Sequence, residues 1–351
     1  MAALSKPTKR VNWGATVTRI LPAALALGLA LLFGALLLLA SGRNPIEAYA
    51  ALLQGAFGSP ARLAETFVKM TPFLILAISV SISFRCGVWN IGAEGQLILG
   101  AIASFSVAWL LNAWPALVAL PLSLLAGVIG GALWSGIAGM LKAHFNANEV
   151  ITTSMLNFIA VYLLAYLVNG PLKDPEGFNF PQSPLIAEAF ELPRLLTGSR
   201  LNVAFLVAIA LVIAALLFWR STLGFRTEIV GAARRVATHA GLNVNRTIVL
   251  VSLITGGVAG IAGWGEIFGI HYRLIDAIAV GMGSLAVVVA LLGELHPLGM
   301  VVSAFLFAAL VVGGNAMERS AGVPFALVDV IQGSIILLVL ARSFIFRGRR
   351  S

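Results

Sequence analysis

The stretch FRCGVWNIGAEGQLILG, Phe84 to Gly100, sets Arg85, Trp89, Asn90, Glu94 and Gln96 among Gly87, Gly92 and Gly95, between two long apolar runs. A charge at the middle of a membrane span costs about 2.5–3.5 kcal/mol and normally faces a cavity or a protein partner. Interrupted helices are tolerated at membrane depth only where they line a protected or watery space. Asn90 is suited to cap a helix beginning near Ile91, with Glu94 close to the positive end of its dipole. The stretch therefore predicts a broken helix along a pathway, where Trp89, Asn90, Glu94 and Gln96 meet a polar solute. The competing reading is a tightly packed glycine turn with Trp89 as an interface anchor. For Trp89 alone the anchor is favoured; for the whole cluster, three polar side chains leading into the next span favour the pathway.

A second polar cluster, NANEVITTSMLNFIAVYLLAY, runs from Asn146 to Tyr166. Asn148 is a good N-cap, and Glu149 follows at the first helical position. Thr153 and Asn157 are four apart and share a helix face. Glu149 and Thr153 are candidate gate residues, although threonine also bonds back to its own helix. Asn157 fits either the pathway or an interhelical hydrogen bond.

These residues need a scaffold, and composition says which kind. The chain has 351 residues, of which 60% are hydrophobic and 11% charged, with a mean hydropathy of +0.98. A soluble domain carries about 25% charged residues, so lipid is the expected solvent. We expect one transmembrane domain over residues 1–351, an all-α polytopic bundle of about ten spans. The spans fall near 22–41, 67–84, 97–113, 115–141, 150–169, 202–219, 247–265, 280–293, 297–314 and 325–342. The first is too long for a cleaved signal core. The single cysteine, Cys86, excludes a disulfide framework and thiolate metal clusters.

Lys and Arg concentrate in cytoplasmic segments. With the N-terminus inside, 15 of the 23 basic residues fall on the cytoplasmic side, so both termini are expected there. This topology explains the net charge of +9 better than nucleic acid does, because no single basic face or stacking sheet is present. Two connections are long: the proline-rich outer segment 169–201 and the inner segment 220–246. In the latter, Thr227 is the expected N-cap and Gly241 the left-handed stop of a short helix lying parallel to the membrane. Its small residues Gly231, Ala232 and Ala233 permit close approach of another protein, and Glu228, Arg234, Arg235 and His239 complete the surface. Docking of a protein is favoured over anionic lipid, which leaves the small residues unexplained. Arg273 and Asp276 are expected to pair at the outer surface, and His296 to be a turn residue without a metal.

No catalytic constellation appears. The sequence has no GxxxxGK[ST] phosphate loop, no HExxH and no GxSxG.

GVWNIGAEGQLILGA (87–101), NEVITTSMLNFIA (148–160), GAARRVATHAGL (231–242) and ALLGELHPLGMVVSAFLF (290–307) resemble the inner-membrane permeases of nucleoside-type ABC importers. These are a branch of the ribose and branched-chain amino acid permease group, and the resemblance covers residues 20–342. It implies a bacterial inner-membrane, multi-pass subunit without a cofactor of its own, in a heterodimer with a second related permease. A separate ABC ATPase would use the ATP, and an extracytoplasmic lipoprotein receptor would deliver the solute. It places a coupling helix over 228–241 and the pathway near Asn90–Gln96. An inverted repeat relating spans 2–5 to spans 7–10 is a further expectation. The competing functions are an ABC permease for a simple sugar or branched-chain amino acid, an ion-coupled secondary transporter relying on Glu94, and a membrane-embedded enzyme.

Overall fold

A computed structural model describes residues 28–347. Among them the chain is all-helical: α1 (Gly28–Ala40), α2 (Pro45–Phe57), α3 (Pro60–Arg85), α4 (Ala93–Leu110), α5 (Ala116–Phe145), α6 (Glu149–Asn169), α7 (Ala204–Arg220), α8 (Thr222–Ala232), α9 (Arg234–His239), α10 (Val244–Glu266), α11 (Met282–Leu292), α12 (Pro297–Ala321) and α13 (Phe325–Arg347). A 3₁₀ turn, Glu188–Phe190, lies in the long loop, and a π-helical turn, Ile267–His271, extends α10.

Six of the described helices are long and apolar enough to cross a membrane, and α7 with α8 forms a further candidate bent by 72°. Three shorter apolar stretches lie in α1, α11 and α13. Together these ten correspond in place to the ten predicted spans. Residues 22–27 of the first predicted span lie outside the described residues. The amphipathic α2 was not foreseen; its charged and polar positions hid it from a search for unbroken apolar runs.

The described residues form two compact units, one from residues up to 53 together with those from 313, the other from 54 to 312. In the first, the Tyr49 hydroxyl donates to the Leu31 carbonyl at 2.7 Å. The second carries every element discussed below.

The core of this second unit is α10 packed against α3, α4 and α5. Lipid tails are as apolar as leucine, so helices in a bilayer associate through close van der Waals contact rather than by escaping water. Glycine provides that contact here. A Cβ on Gly260 would lie 2.0 Å from the Gly127 carbonyl oxygen, and one on Gly131 would lie 2.2 Å from that of Gly256. The two pairs sit four residues apart on α5 and on α10, so one face of each helix carries the seam. Hydroxyls add direction: Ser79 on α3 donates to the Thr255 carbonyl at 2.8 Å, and Trp264 donates to Ser123 at 3.1 Å.

Two interruptions break this frame. The first, 86–92, separates α3 from α4; the second runs from the π-helical turn to Gly281 and separates α10 from α11. α11 packs against α3 and α4.

Candidate functional site

At the first break the chain leaves α3 through Gly87, whose φ of +72° is open to glycine at little cost. Helix α4 then begins at Ala93, with Gly92 at the cap position and no side-chain cap there. Asn90 therefore does not cap a helix from Ile91 as expected. Its Oδ1 accepts the Gly92 N–H at 2.8 Å, turning the chain two residues before the helix starts. The same oxygen accepts Gln96 Nε2 at 3.0 Å. Asn90 and Gln96 are both almost fully buried, so the two amides serve each other and the turn.

Helix α6 supplies the rest of the fastening. Asn157 Oδ1 accepts the Gly95 N–H at 2.8 Å, and its Nδ2 donates to the Ile91 carbonyl at 2.9 Å. A single side chain thus satisfies a free donor of the new helix and a free acceptor of the break, which would otherwise be costly in a membrane. Thr153 Oγ1 accepts the Ile91 N–H at 3.2 Å and donates to the Glu149 carbonyl at 2.7 Å. Asn148 caps α6 as expected, accepting from Val150 and Ile151. The Glu149 carboxylate pairs with Lys142 at 2.7 Å, with both side chains largely buried. Trp89 is half exposed, its ring 4.7 Å from that of Phe84.

Glu94, in the first turn of α4, faces the backbone N–H groups of Gly281 and Gly283 at the start of α11. The approach is close: a Cβ on Gly283 would lie 2.7 Å from Glu94 Cβ. The N-terminal ends of the two helices that follow the breaks therefore meet at a carboxylate, which suits the positive end of a helix dipole.

Sequence reasoning missed Trp134 on α5. Its indole N–H is buried without a hydrogen-bond partner and sits at the Gly95 and Asn157 face of the first break. It also missed Glu266, which is only 4% exposed at the end of α10. His271 Nε2 stands 3.3 Å from Glu266 Oε2 at an angle that completes no hydrogen bond. A carboxylate at a span end and one just beyond it look the same in sequence; the π-helical turn makes the difference by carrying the helix past Glu266.

The 220–246 segment differs from its expected form. It holds two short helices, α8 and α9, broken at Ala233 (φ −156°, ψ 90°). Ser221 caps α8, accepting the Gly224 N–H at 3.2 Å, while Thr227 is buried mid-helix and donates to the Leu223 carbonyl. Ser221 takes the role because the sharp bend after α7 leaves it extended, the conformation a cap requires. Gly241 is left-handed (φ +77°), as expected.

This segment is seated on the first break. Gly231 lies so close that a Cβ there would be 1.9 Å from the Arg85 carbonyl oxygen, and a Cβ on Gly87 would be 3.2 Å from Gly231 Cα. Arg234 donates to the Gly87 carbonyl at 3.3 Å. Arg85 pairs with Glu228 at 2.8 Å and lies over the Trp219 ring at 4.1 Å. Cys86, at the centre of this junction, is fully buried, and burial pushes its thiol up to about 12. Gly231, Glu228 and Arg234 therefore face the chain's own hinge. Ala232, Ala233, Arg235, His239, Phe225 and Val236 are exposed.

The second break is held from the loop 170–203. Ile186 N–H bonds the Tyr272 carbonyl at 2.9 Å, and Leu192 N–H bonds that of Phe268 at 2.8 Å. Asn202 Nδ2 donates to the Gly269 carbonyl at 2.9 Å. Arg273 pairs with Asp174 of this loop at 3.6 Å rather than with Asp276, three residues away. The left-handed Tyr272 (φ +58°) turns the chain toward the loop.

An all-helical chain with six or seven candidates long and apolar enough to cross a membrane is a multi-pass membrane protein. Residues 62–340 match the family described as branched-chain amino acid transport system / permease component, and the chain belongs to that family. It is 36% identical over 349 residues to the glucose ABC transporter permease protein TsgB13 of Haloferax volcanii, covering 94% of this chain and 91% of that protein. It is 34% identical over 338 residues to the guanosine ABC transporter permease protein NupP of Bacillus subtilis, covering 94% and 95%. It is 32% identical over 336 residues to the nucleoside ABC transporter permease protein NupB of Lactococcus lactis, covering 93% and 92%.

Proposed function

We propose that this chain is the membrane-spanning permease of an ATP-driven nucleoside importer of the bacterial inner membrane, with both termini and the 220–246 segment in the cytoplasm. A separate ABC ATPase docks on Ala232, Ala233, Arg235 and His239. A second related permease completes the pathway, and an extracytoplasmic lipoprotein receptor delivers solute from the side of the 170–203 loop. The chain itself needs no cofactor. The observation that carries this reading is the seating of Gly231 and Arg234 on Arg85–Gly87. Movement of a docked segment is thereby passed directly to the break that leads into α4.

The nucleoside assignment rests on the resemblance of the motifs at 87–101 and 148–160 to nucleoside-type permeases and on relatives named for guanosine and nucleosides. The relative named for glucose supports a sugar as the second reading. In vesicles, this chain with its ATPase, second permease and receptor should concentrate guanosine in an ATP-dependent manner, with glucose failing to compete. The chain alone should concentrate neither. Concentrative uptake without the ATPase would overturn the reading, and displacement of guanosine by glucose would transfer the substrate to the sugars.

A further inference from the structure

A cleft of about 520 Å³ opens between the end of α5 and the start of α10, lined by His144, Asn245 and Arg246 at its rim and by Val249, Leu250 and Leu253 below. Its origin is the glycine seam. α5 and α10 stay in contact through Gly136 against Leu253 and Gly139 against Ser252. Past that point no glycine contact joins them, and the ends of the helices leave room between His144 and Arg246.

The rim is built for negative charge. The Arg246 guanidinium makes no ion pair or hydrogen bond among the described residues, and no carboxylate lines the cleft. The first turn of α10 adds its dipole, with Asn243 already spent on the Arg246 N–H at 2.9 Å. Lys142, on the last turn of α5, is withdrawn from the rim by its pairing with Glu149. Below the rim the lining becomes wholly apolar within two turns of α10, a helix long and apolar enough to cross a membrane. A soluble anion would leave that floor unused, and a zwitterionic lipid would bring a second cation to the rim beside Arg246, where an anionic lipid brings only negative charge.

We propose that this cleft binds one anionic glycerophospholipid, its phosphate held by Arg246, His144 and Asn245 and an acyl chain laid along Val249, Leu250 and Leu253. Basic pockets between spans on the cytoplasmic side hold such headgroups in this way. The inference rests on the orientation given above only for the leaflet that supplies the lipid; the chemistry of the cleft is independent of what the chain transports.

The full chain, purified in detergent and stripped of lipid, is titrated with phosphatidylglycerol, phosphatidylcholine and inorganic phosphate, and bound lipid is counted by native mass spectrometry. One phosphatidylglycerol should bind in preference to phosphatidylcholine. Arg246→Gln should weaken it about fivefold, the effect of one basic residue near an anionic headgroup. Leu250→Trp should weaken it by filling the floor, while Arg220→Gln, on the same membrane face but outside the cleft, should not. Equal binding of both lipids, or an equal loss in Arg220→Gln, would overturn the site. So would displacement of the lipid by inorganic phosphate, which marks a soluble-anion site, or by the partner ATPase, which marks a protein interface. The comparison of lipid classes on the unmodified chain decides the matter even if a variant fails to fold.

Discussion

The two breaks are built alike and fastened differently. Each follows a long helix, turns through a left-handed residue (Gly87 or Tyr272) and leads into a helix preceded by glycine, Gly92 or Gly281. The first is held by side chains of α6 and by the 220–246 segment; the second is held mainly by backbone pairing with the loop 170–203. Glu94 stands where the helices following the breaks meet. The contrast separates two duties: a break fastened to α8 and α9 can be moved by whatever docks there, whereas a break pinned to the opposite loop answers to that side.

The sharpest way to break this comparison is to unfasten each end. Asn157→Leu strands the Gly95 N–H and the Ile91 carbonyl, and an orphaned buried group costs about 1–3 kcal/mol. We predict the largest losses here, in detergent thermal stability and in uptake; undiminished uptake would return Asn157 to ordinary packing. Asn202→Leu strands the Ala204 N–H by the same logic and takes from the Gly269 carbonyl its shorter donor, leaving it the Tyr272 hydroxyl at 3.4 Å. It should destabilise by about 1–3 kcal/mol yet leave the ratio of solute moved to ATP hydrolysed unchanged, because it does not touch the junction with α8 and α9. A lower ratio would erase the distinction between the breaks.

Arginine substitutions sharpen it further. Arg235→Glu should weaken ATPase association, measured by co-purification, whereas Arg234→Gln should leave association intact and lower the coupling ratio. The reverse pattern would exchange the two roles. The smallest effect belongs to Glu228→Gln. Its pair with Arg85 is part-exposed, and such pairs contribute about 0–1 kcal/mol, so uptake should stay close to that of the unchanged chain. A large loss would mean that this ion pair, rather than the Gly231 contact, carries the load.

What the sequence revealed follows the range of the interactions. The long apolar helices depend on runs of neighbouring residues, and the Asn148 cap and the left-handed Gly241 on neighbours within one turn, and the structure has them where the residues point. The cap at Ser221 was hidden because it depends on a bend that only the packed α7–α8 pair imposes. The partners of Gly231, Arg234 and Arg273 were hidden for a different reason. Arg234 and the Gly87 carbonyl it reaches are 147 residues apart, and nothing local distinguishes an arginine that turns inward from Arg235, which faces out. The polar clusters at 84–100 and 146–166 were each visible, but not that Asn157 of one closes the backbone of the other.

The claim that the 220–246 segment drives the first break is tested most directly by Gly231→Val in the reconstituted transporter. Overpacking of this kind costs about 1–3 kcal/mol, here placed where a Cβ would meet the Arg85 carbonyl. ATP hydrolysis should persist while uptake falls away, and the buried Cys86 should become open to alkylation as the junction parts. Uptake and hydrolysis both at the level of the unchanged chain, with Cys86 still protected, would contradict it.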